Sequence, residues 1–404
     1  MGEATSAARV VVLGGGRSGN AAAALLRREG AEVTVLEGDV PFPEGDLGLC
    51  VTSPGIPLDH PWQRAARGRG LKVVSELQLG AERWCARGGR MLAVTGSKGK
   101  SSVVKIVAEA VGGVACGNYG LPLCDVVNEC DERGADGAAG WAVVEVSSFQ
   151  METTDLPHDA FGAAALLNLQ EDHLDRHGSA EVYHGLKRRL LGMARVKVDG
   201  TAGASPAPGG EALLAGSYFD NSVLLRNGLC AVALMRAAGV VDGAIAAAFA
   251  RFEPLPHRMQ TVCGEGGALW IDDSKATSLA ALAAGVEMAA ARLGRAEPGS
   301  KPGVLLVAGG LSKGDDPFSV IPRLRSGVKK VYLIGRCAEQ FFHAWRETVP
   351  CEVCGTLDRA VEAARRDVVS GEAVLLSPGT ASFDQFQNYG ARGDAFAALV
   401  RAGA

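Results

Sequence analysis

The sequence predicts an α/β fold in three domains built on parallel sheets, and three observations carry that prediction. Short apolar runs of the buried-strand type alternate with helix-length stretches along most of the chain. The clearest of these runs lead straight into glycine-rich turns, where a strand feeds a helix. Two breaks, Gly88-Gly89 and Phe252-Glu253-Pro254-Leu255-Pro256, divide a chain of 404 residues that is too long for one hydrophobic core. The expected domains are therefore 1–89, 90–253 and 254–404.

In the first, Val10-Val11-Val12-Leu13 reads as a strand, followed by a glycine cluster, an alanine-rich helix reaching Arg28 and a second strand from Glu32 to Leu36. Leu49 to Thr52 and Lys72 to Val74 fit further short parallel strands. The second domain opens with a buried strand, Met91 to Val94, then a glycine loop and a helix from Lys100 through Val111. Trp141 to Val146 and Ala163 to Leu169 are its other clear strands, residues 200–210 read as a surface loop, and Gly228 to Ala238 reads as a helix. In the third, Leu269 to Ile271, Gly303 to Val307, Val331 to Ile334 and Ala373 to Leu376 alternate with helical stretches, which predicts a parallel sheet.

Composition removes several classes of function. Lys and Arg (41) nearly balance Asp and Glu (45), so no single-sign field points to nucleic acid or an anionic membrane. Ten scattered cysteines include one close pair, Cys351 and Cys354, which lacks the second pair or the histidines of a zinc site, so reduced thiols are expected. Apolar runs such as Ala163 to Leu167 fall far short of the roughly 20 residues that a bilayer requires, and Met1 to Arg9 carry no apolar leader. A cytoplasmic protein with no stable membrane insertion is the expectation.

The richest motif is Thr95-Gly96-Ser97-Lys98-Gly99-Lys100-Ser101-Ser102, between a strand and a helix. There, backbone N–H groups can wrap phosphate oxygens while the helix dipole favours negative charge. Lys100 is placed to reach terminal phosphates and Ser101 to bind the magnesium that accompanies ATP, although the loop is two residues shorter than the usual pattern. A serine-capped glycine turn is the plain alternative. Glu145 ends an apolar strand, where a lone carboxylate is costly unless it meets a cation; magnesium or a structural partner would serve. His173, in Asn168-Leu169-Gln170-Glu171-Asp172-His173-Leu174-Asp175-Arg176-His177, lies just past a strand, as a metal ligand or a hydrogen-bonding loop residue.

Gly14-Gly15-Gly16-Arg17-Ser18-Gly19, with Glu37 closing the next strand, has the spacing of a dinucleotide site. The same geometry serves any pyrophosphate-bearing nucleotide, a UDP-sugar included, so it marks an anion site and not a hydride donor. Two polar clusters, Asp272 to Thr277 and Ser377 to Asp384, follow strands near the C-terminus, as ligand loops or as helix caps.

Together these segments resemble the Mur ligase family along almost the whole chain. The matching motifs, in order, are GGGRSG, Thr52-Ser53-Pro54-Gly55-Ile56, TGSKGKSS, Gly117-Asn118-Tyr119-Gly120, VEVSSFQ, NLQEDHLDRH, Leu255-Pro256-His257-Arg258, DDSKAT, Gly309-Gly310-Leu311-Ser312-Lys313 and SPGTASFDQF. Within the family the resemblance is to the branch that adds D-glutamate to UDP-N-acetylmuramoyl-L-alanine with ATP, through an acyl phosphate, in peptidoglycan synthesis. It implies a Rossmann-like UDP-binding domain, a central P-loop ATPase-like domain and a Rossmann-like C-terminal domain, in a monomer.

The resemblance also implies roles. Lys100 would stabilise the transferring phosphoryl group, Ser101 and Glu145 would hold one magnesium ion, and His173 a second. Lys187, in Tyr183-His184-Gly185-Leu186-Lys187, matches a lysine that becomes carbamylated and directed at metal; its alternative is a basic helix surface beside Arg188 and Arg189. Asn227, Arg258, Asp273 and Lys275 match positions around the nucleotide. Arg17, Ser18, Glu37, Ser53, Gly55 and Asn118 match the UDP-substrate side, and Thr277, Lys313, Ser382, Phe383 and Tyr389 the D-glutamate side. Departures from the family pattern are Lys98 for the commoner asparagine, Leu224 where an asparagine often helps hold adenine, and Gly38 and Asp39 on the UMP side.

Overall fold

The computed structural model describes residues 8–133, 140–265, 267–294, 301–312 and 314–402. Its strands form three separate sheets. The first holds β1 (Arg9–Leu13), β2 (Glu32–Leu36), β3 (Leu49–Thr52) and β4 (Val73–Ser75), all parallel, in the order β2-β1-β3-β4. The second holds β5 (Arg90–Thr95), β6 (Val114–Gly117), β7 (Trp141–Glu145), β8 (Phe161–Leu166) and β9 (Ala194–Asp199), parallel in the order β6-β7-β5-β8-β9. The third is six-stranded, β10-β11-β15-β12-β13-β14, from β10 (Gln260–Glu265), β11 (Ala268–Asp272), β12 (Val304–Gly309), β13 (Val328–Ile334), β14 (Cys351–Gly355) and β15 (Ala373–Leu376). The first two sheets belong to one compact unit that ends at Phe252, and the third to a second unit that starts at Glu253 and includes residues 221–223.

Buried strands were legible because their side chains are apolar on both faces, and the edge strands β2 and β4 were legible as well, but four other edge strands were not. β6 and β14 are short and only partly buried, and β9 shows three exposed residues in a row, so none reads as an apolar run. β10 pairs antiparallel with β11, which corrects the expectation of a wholly parallel third sheet: polar Gln260 and Thr261 mark it as an edge strand. β8 ends at Leu166, three residues early, because the chain beyond Leu167 turns to meet the glycine loop.

Register is what positions the candidate residues. Val94 lies beside Glu145 and Ala165, so β5, β7 and β8 finish together at one edge of the second sheet. In the first sheet Leu13 is level with Leu36 and Thr52, and in the third Asp272 and Val307 are both level with Leu376. Ligands of such sheets bind beyond the carboxyl ends of the strands. The helix Lys100–Val111 is fixed beneath its loop by Val103, Val104, Ile106 and Val107, all fully buried. Removing one such side chain to alanine costs about 2–5 kcal/mol.

Glu76, the residue that follows β4, is a buried carboxylate. One oxygen accepts the Cys124 N–H at 2.7 Å, and the other has no hydrogen-bond partner among the described residues. Burial pushes the Glu76 carboxyl up from 4.5 to about 7, against the opposing pull of the Cys124 hydrogen bonds. Because the folded chain holds this proton more tightly than the unfolded chain, stability falls as pH rises from about 4.5 to 7 and levels off above. Glu76→Gln should therefore stabilise the protein by roughly 1–3 kcal/mol at pH 8 and by little at pH 4. Thermal unfolding at the two pH values checks this, and an equal shift at both would refute it.

Candidate active site

The glycine loop needs its glycines. Gly96 and Gly99 have φ of 151° and 83°, and a Cβ on Gly99 would sit 2.3 Å from the Asn227 amide nitrogen. Thr95 Oγ1 donates to the Val146 carbonyl at 2.8 Å. Ser97 Oγ donates to the Gln170 carbonyl at 3.0 Å and accepts the Gln170 N–H at 2.9 Å, with the Tyr183 hydroxyl 3.3 Å away. The Ser97 side chain thus braces the loop. Asn168 accepts the Lys98 N–H and donates to both the Lys98 carbonyl and Asn227 Oδ1, tying the loop to the buried Asn227. Ser101 and Ser102 lie in the first turn of the helix that follows, half-buried and buried.

Two lysine amines converge on one carbonyl: Lys100 Nζ donates to Gly96 O at 2.9 Å and Lys187 Nζ at 3.0 Å. Lys187 is 1% exposed, so the basic-surface alternative falls away. Its ammonium lies 4.5 Å from the centre of the Tyr183 ring, and burial, followed by the charge of Lys100, pulls it down to about 7. Lys98 points elsewhere. Its Nζ pairs with Asp172 at 3.2 Å, both side chains being partly exposed. Such pairs contribute about 0–1 kcal/mol. Lys98→Asn should therefore leave the KM for ATP within about threefold, since the backbone contacts of the loop do not need the side chain. Steady-state kinetics check this, and a tenfold rise would make Lys98 a phosphate contact.

Glu145 is 2% exposed. One oxygen accepts the Asn118 amide at 2.7 Å; the other is buried without a hydrogen-bond partner among the described residues. A carboxylate oxygen so placed calls for a cation. Among the described residues no three His, Cys, Asp or Glu side chains converge into a self-sufficient metal site. A divalent ion here would need Glu145, a hydroxyl such as Ser101 and oxygens of a nucleotide, the donor set that magnesium takes. His173 has a left-handed backbone, φ 53°, and its half-exposed ring packs 4.9 Å from Phe149.

Beside the first sheet, Ser53 Oγ donates to the Gly14 carbonyl at 2.9 Å, and Arg17 donates to the Gly120 carbonyl at 2.9 Å. Ser18 is half-buried and Gly55 exposed. Glu37 folds over Gly15, where any Cβ would collide with its carboxylate. Sequence reasoning assigned no role to Arg176, Glu152 or His177 in this unit. Arg176 forms a two-bond pair with Glu152, and His177 Nδ1 lies 3.3 Å from the same carboxylate. The one available signal was the NLQEDHLDRH motif, which does not name their partner.

In the second unit Asp273 accepts the Met259 N–H at 3.2 Å and the Ser377 hydroxyl at 2.9 Å, and burial raises its carboxyl to about 7. Arg258 lies between His257 and Met259, both with positive φ, and Asp272 meets His257 Nδ1 at 2.7 Å. Lys275 Nζ is 4.0 Å from the centre of the Tyr389 ring. Arg392, also missed, is 1% exposed and donates to the carbonyls of Ser274 and Thr380 at 2.9 and 3.1 Å, bracing the two loops that carry Thr277 and Ser382. Thr277 is half-buried and Ser382 buried, whereas Phe383 is 69% exposed. Lys313 lies outside the described residues. Cys351 and Cys354 are free thiols on β14, pushed up to about 11 by burial.

The Mur ligase middle domain family matches residues 94–202, and the family described as Mur ligase, glutamate ligase domain matches residues 257–379. A protein of Frankia casuarinae named UDP-N-acetylmuramoylalanine--D-glutamate ligase is 37% identical, over 98% of this chain and 88% of its own. Proteins of the same name from Rubrobacter xylanophilus and Acidobacterium capsulatum are 36% and 33% identical, over 97% and 98% of this chain and 98% and 96% of theirs. Among solved structures, the UDP-N-acetylmuramate-alanine ligase of Thermotoga maritima aligns with a TM-score of 0.57 at 13% identity, over 98% of this chain and 100% of that one. The MurF ligase of the same organism in complex with ADP aligns with a TM-score of 0.54 at 16% identity, over 89% and 90%. These two share the fold. With both family matches and relatives above 30% identity along nearly its full length, the chain belongs to the Mur ligase family.

Proposed function

We propose that the protein joins D-glutamate to the L-alanyl carboxylate of UDP-N-acetylmuramoyl-L-alanine, driven by ATP, in the assembly of peptidoglycan precursors. The name shared by relatives that this chain matches almost end to end supports these substrates. The observation that carries the chemistry is the glycine loop with the Lys100 and Lys187 amines on one carbonyl, together with a buried Glu145 oxygen that has no hydrogen-bond partner among the described residues.

A carboxylate is a poor electrophile, and amide formation in water is uphill. In the proposed reaction an oxygen of the L-alanyl carboxylate attacks the γ-phosphorus of ATP and ADP departs. The D-glutamate amine then attacks the acyl-phosphate carbon, phosphate leaves, and the amine loses its proton. Loop N–H groups and the start of the helix at Lys100 would cradle the phosphates, and Lys100 would follow the charge that builds on the transferring group. Ser101 and Glu145 would hold one magnesium ion and His173 with a carbamylated Lys187 a second. Magnesium, when bound, supplies neutralisation of the phosphate oxygens.

Lys187 fits that modification: a buried amine pulled down to about 7 is largely neutral at pH 8, the form that can attack carbon dioxide. Asn227, Arg258, Asp273 and Lys275 are proposed as nucleotide contacts. Arg17, Ser18, Glu37, Ser53, Gly55 and Asn118 are proposed on the UDP-substrate side, and Thr277, Lys313, Ser382, Phe383 and Tyr389 around D-glutamate, whose two carboxylates suit a lysine and hydroxyls. The same reading takes the protein as a cytoplasmic monomer acting on small molecules. No helix among the described residues is long and apolar enough to cross a membrane.

The test is an incubation with ATP, magnesium, UDP-N-acetylmuramoyl-L-alanine and either D- or L-glutamate, following phosphate and amide product. D-Glutamate should support both and L-glutamate neither. Absence of D-glutamate-dependent phosphate would refute the reading.

A further inference from the structure

Arg176 joins two loops to which the proposed reaction gives different tasks. Its Nη2 donates to the carbonyls of Pro54 and Ile56, in the loop after β3, at 3.4 and 3.2 Å. Its Nε and Nη2 donate to the two carboxylate oxygens of Glu152 at 3.0 and 2.5 Å. Both side chains are largely buried, at 16% and 5% exposure, so this fork is shielded from water in a way that surface ion pairs are not. Glu152 also faces His177 Nδ1 at 3.3 Å, and His177 Nε2 lies 3.1 Å from Ser148 Oγ.

The guanidinium does a second thing. Its carbon lies 5.1 Å from the centre of the Phe149 ring, and Phe149 in turn packs 4.9 Å from the His173 ring. One side chain therefore touches the loop that carries Ser53 and Gly55 and also backs the aromatic ring against which His173 rests. A planar fork can serve a carboxylate and two carbonyls at once, whereas a lysine offers one point charge in their place.

We infer that Arg176 is a positioning residue that couples seating of the nucleotide-sugar at the Thr52–Ile56 loop to the orientation of His173. This rests on the proposed function for the identity of the substrate and the ion, but the physical link between the loops does not. Through this link occupancy at one loop biases the other, and cutting it loosens both together.

The test uses the full chain and the variants Arg176→Met, Arg176→Lys and Glu152→Gln. Hydrogen–deuterium exchange on the protein alone should quicken at least about tenfold in both 52–57 and 171–178 for Arg176→Met, while 91–95 in β5 stays as in the unaltered chain. In kinetics, the KM for UDP-N-acetylmuramoyl-L-alanine and the magnesium concentration at half-maximal rate should each rise about tenfold, with the KM for D-glutamate within about twofold. Arg176→Lys should recover only part of either effect, and Glu152→Gln, which keeps the shape of its partner, should be milder than Arg176→Met. Faster exchange in one loop alone, unchanged exchange in both, or a general loosening that reaches β5 overturns the inference. Should the unaltered protein release no D-glutamate-dependent phosphate, the ligase reading fails, and the exchange data still decide whether Arg176 links the loops.

Discussion

Lys187→Ala should release D-glutamate-dependent phosphate roughly 10³-fold more slowly than the unaltered protein, and formate or acetate should restore part of the rate. The expectation follows from where the amine lies. It is buried, it shares the Gly96 carbonyl with Lys100, and among the described residues no carboxylate pairs with it. In the proposed modification the neutral Nζ forms a bond to the carbon of carbon dioxide and sheds one proton, which turns a neutral amine beside Lys100 into an anion. Deleting the side chain removes that anion and opens space for a small carboxylate to take its place. Unfolding curves recorded alongside separate chemistry from fold. Full activity in the variant, or a loss that no carboxylate relieves, would leave Lys187 as a strut under the loop.

Lys100→Met should lower kcat by about 10³-fold or more while changing the KM for ATP far less. The loop's N–H groups remain to hold the nucleotide, because Gly96, Gly99, Ser97 and Asn168 still shape the loop, and Lys187 still donates to the Gly96 carbonyl, once the Lys100 contacts are gone. What disappears is the compact charge that, in the proposed reaction, follows the phosphoryl group as it moves. Arginine should not rescue, since its planar fork cannot reproduce a point charge in a loop this short. A kcat within tenfold of the parent in Lys100→Met would remove Lys100 from the transferring group.

Local signals made the loop legible. Glycines, a lysine and serines occupy consecutive positions between a buried strand and a helix, and the helix runs over the predicted span, Lys100 to Val111. Buried strands were legible for the same reason, because burial on both faces leaves an apolar run. Edge strands β6, β9, β10 and β14 carry no such run, having solvent or a partly open face on one side. Candidate side chains were readable one at a time; their partners were not. Lys98 meets Asp172 across 74 residues, Arg176 meets Ile56 across 120, and Arg392 meets Ser274 across 118. Nothing in a short window encodes such pairs. Glu145 shows the boundary between the two: its position announced a cost, but only the fold shows one oxygen satisfied by Asn118 and the other without a partner among the described residues.

The bracing of Ser97 by Gln170 and Tyr183, and of Lys98 by Asn168, has a thermodynamic consequence for nucleotide affinity. A floppy glycine loop would have to surrender about 1–2 kcal/mol of backbone freedom per residue on closing around a phosphate. Here that freedom is already given up during folding, so association draws on a shape that exists beforehand. Nucleotide binding at this loop should thus carry a small entropic penalty, and weakening of the remote Gln170 or Asn168 contacts should surface as a less favourable entropy of binding before it surfaces as lost contacts.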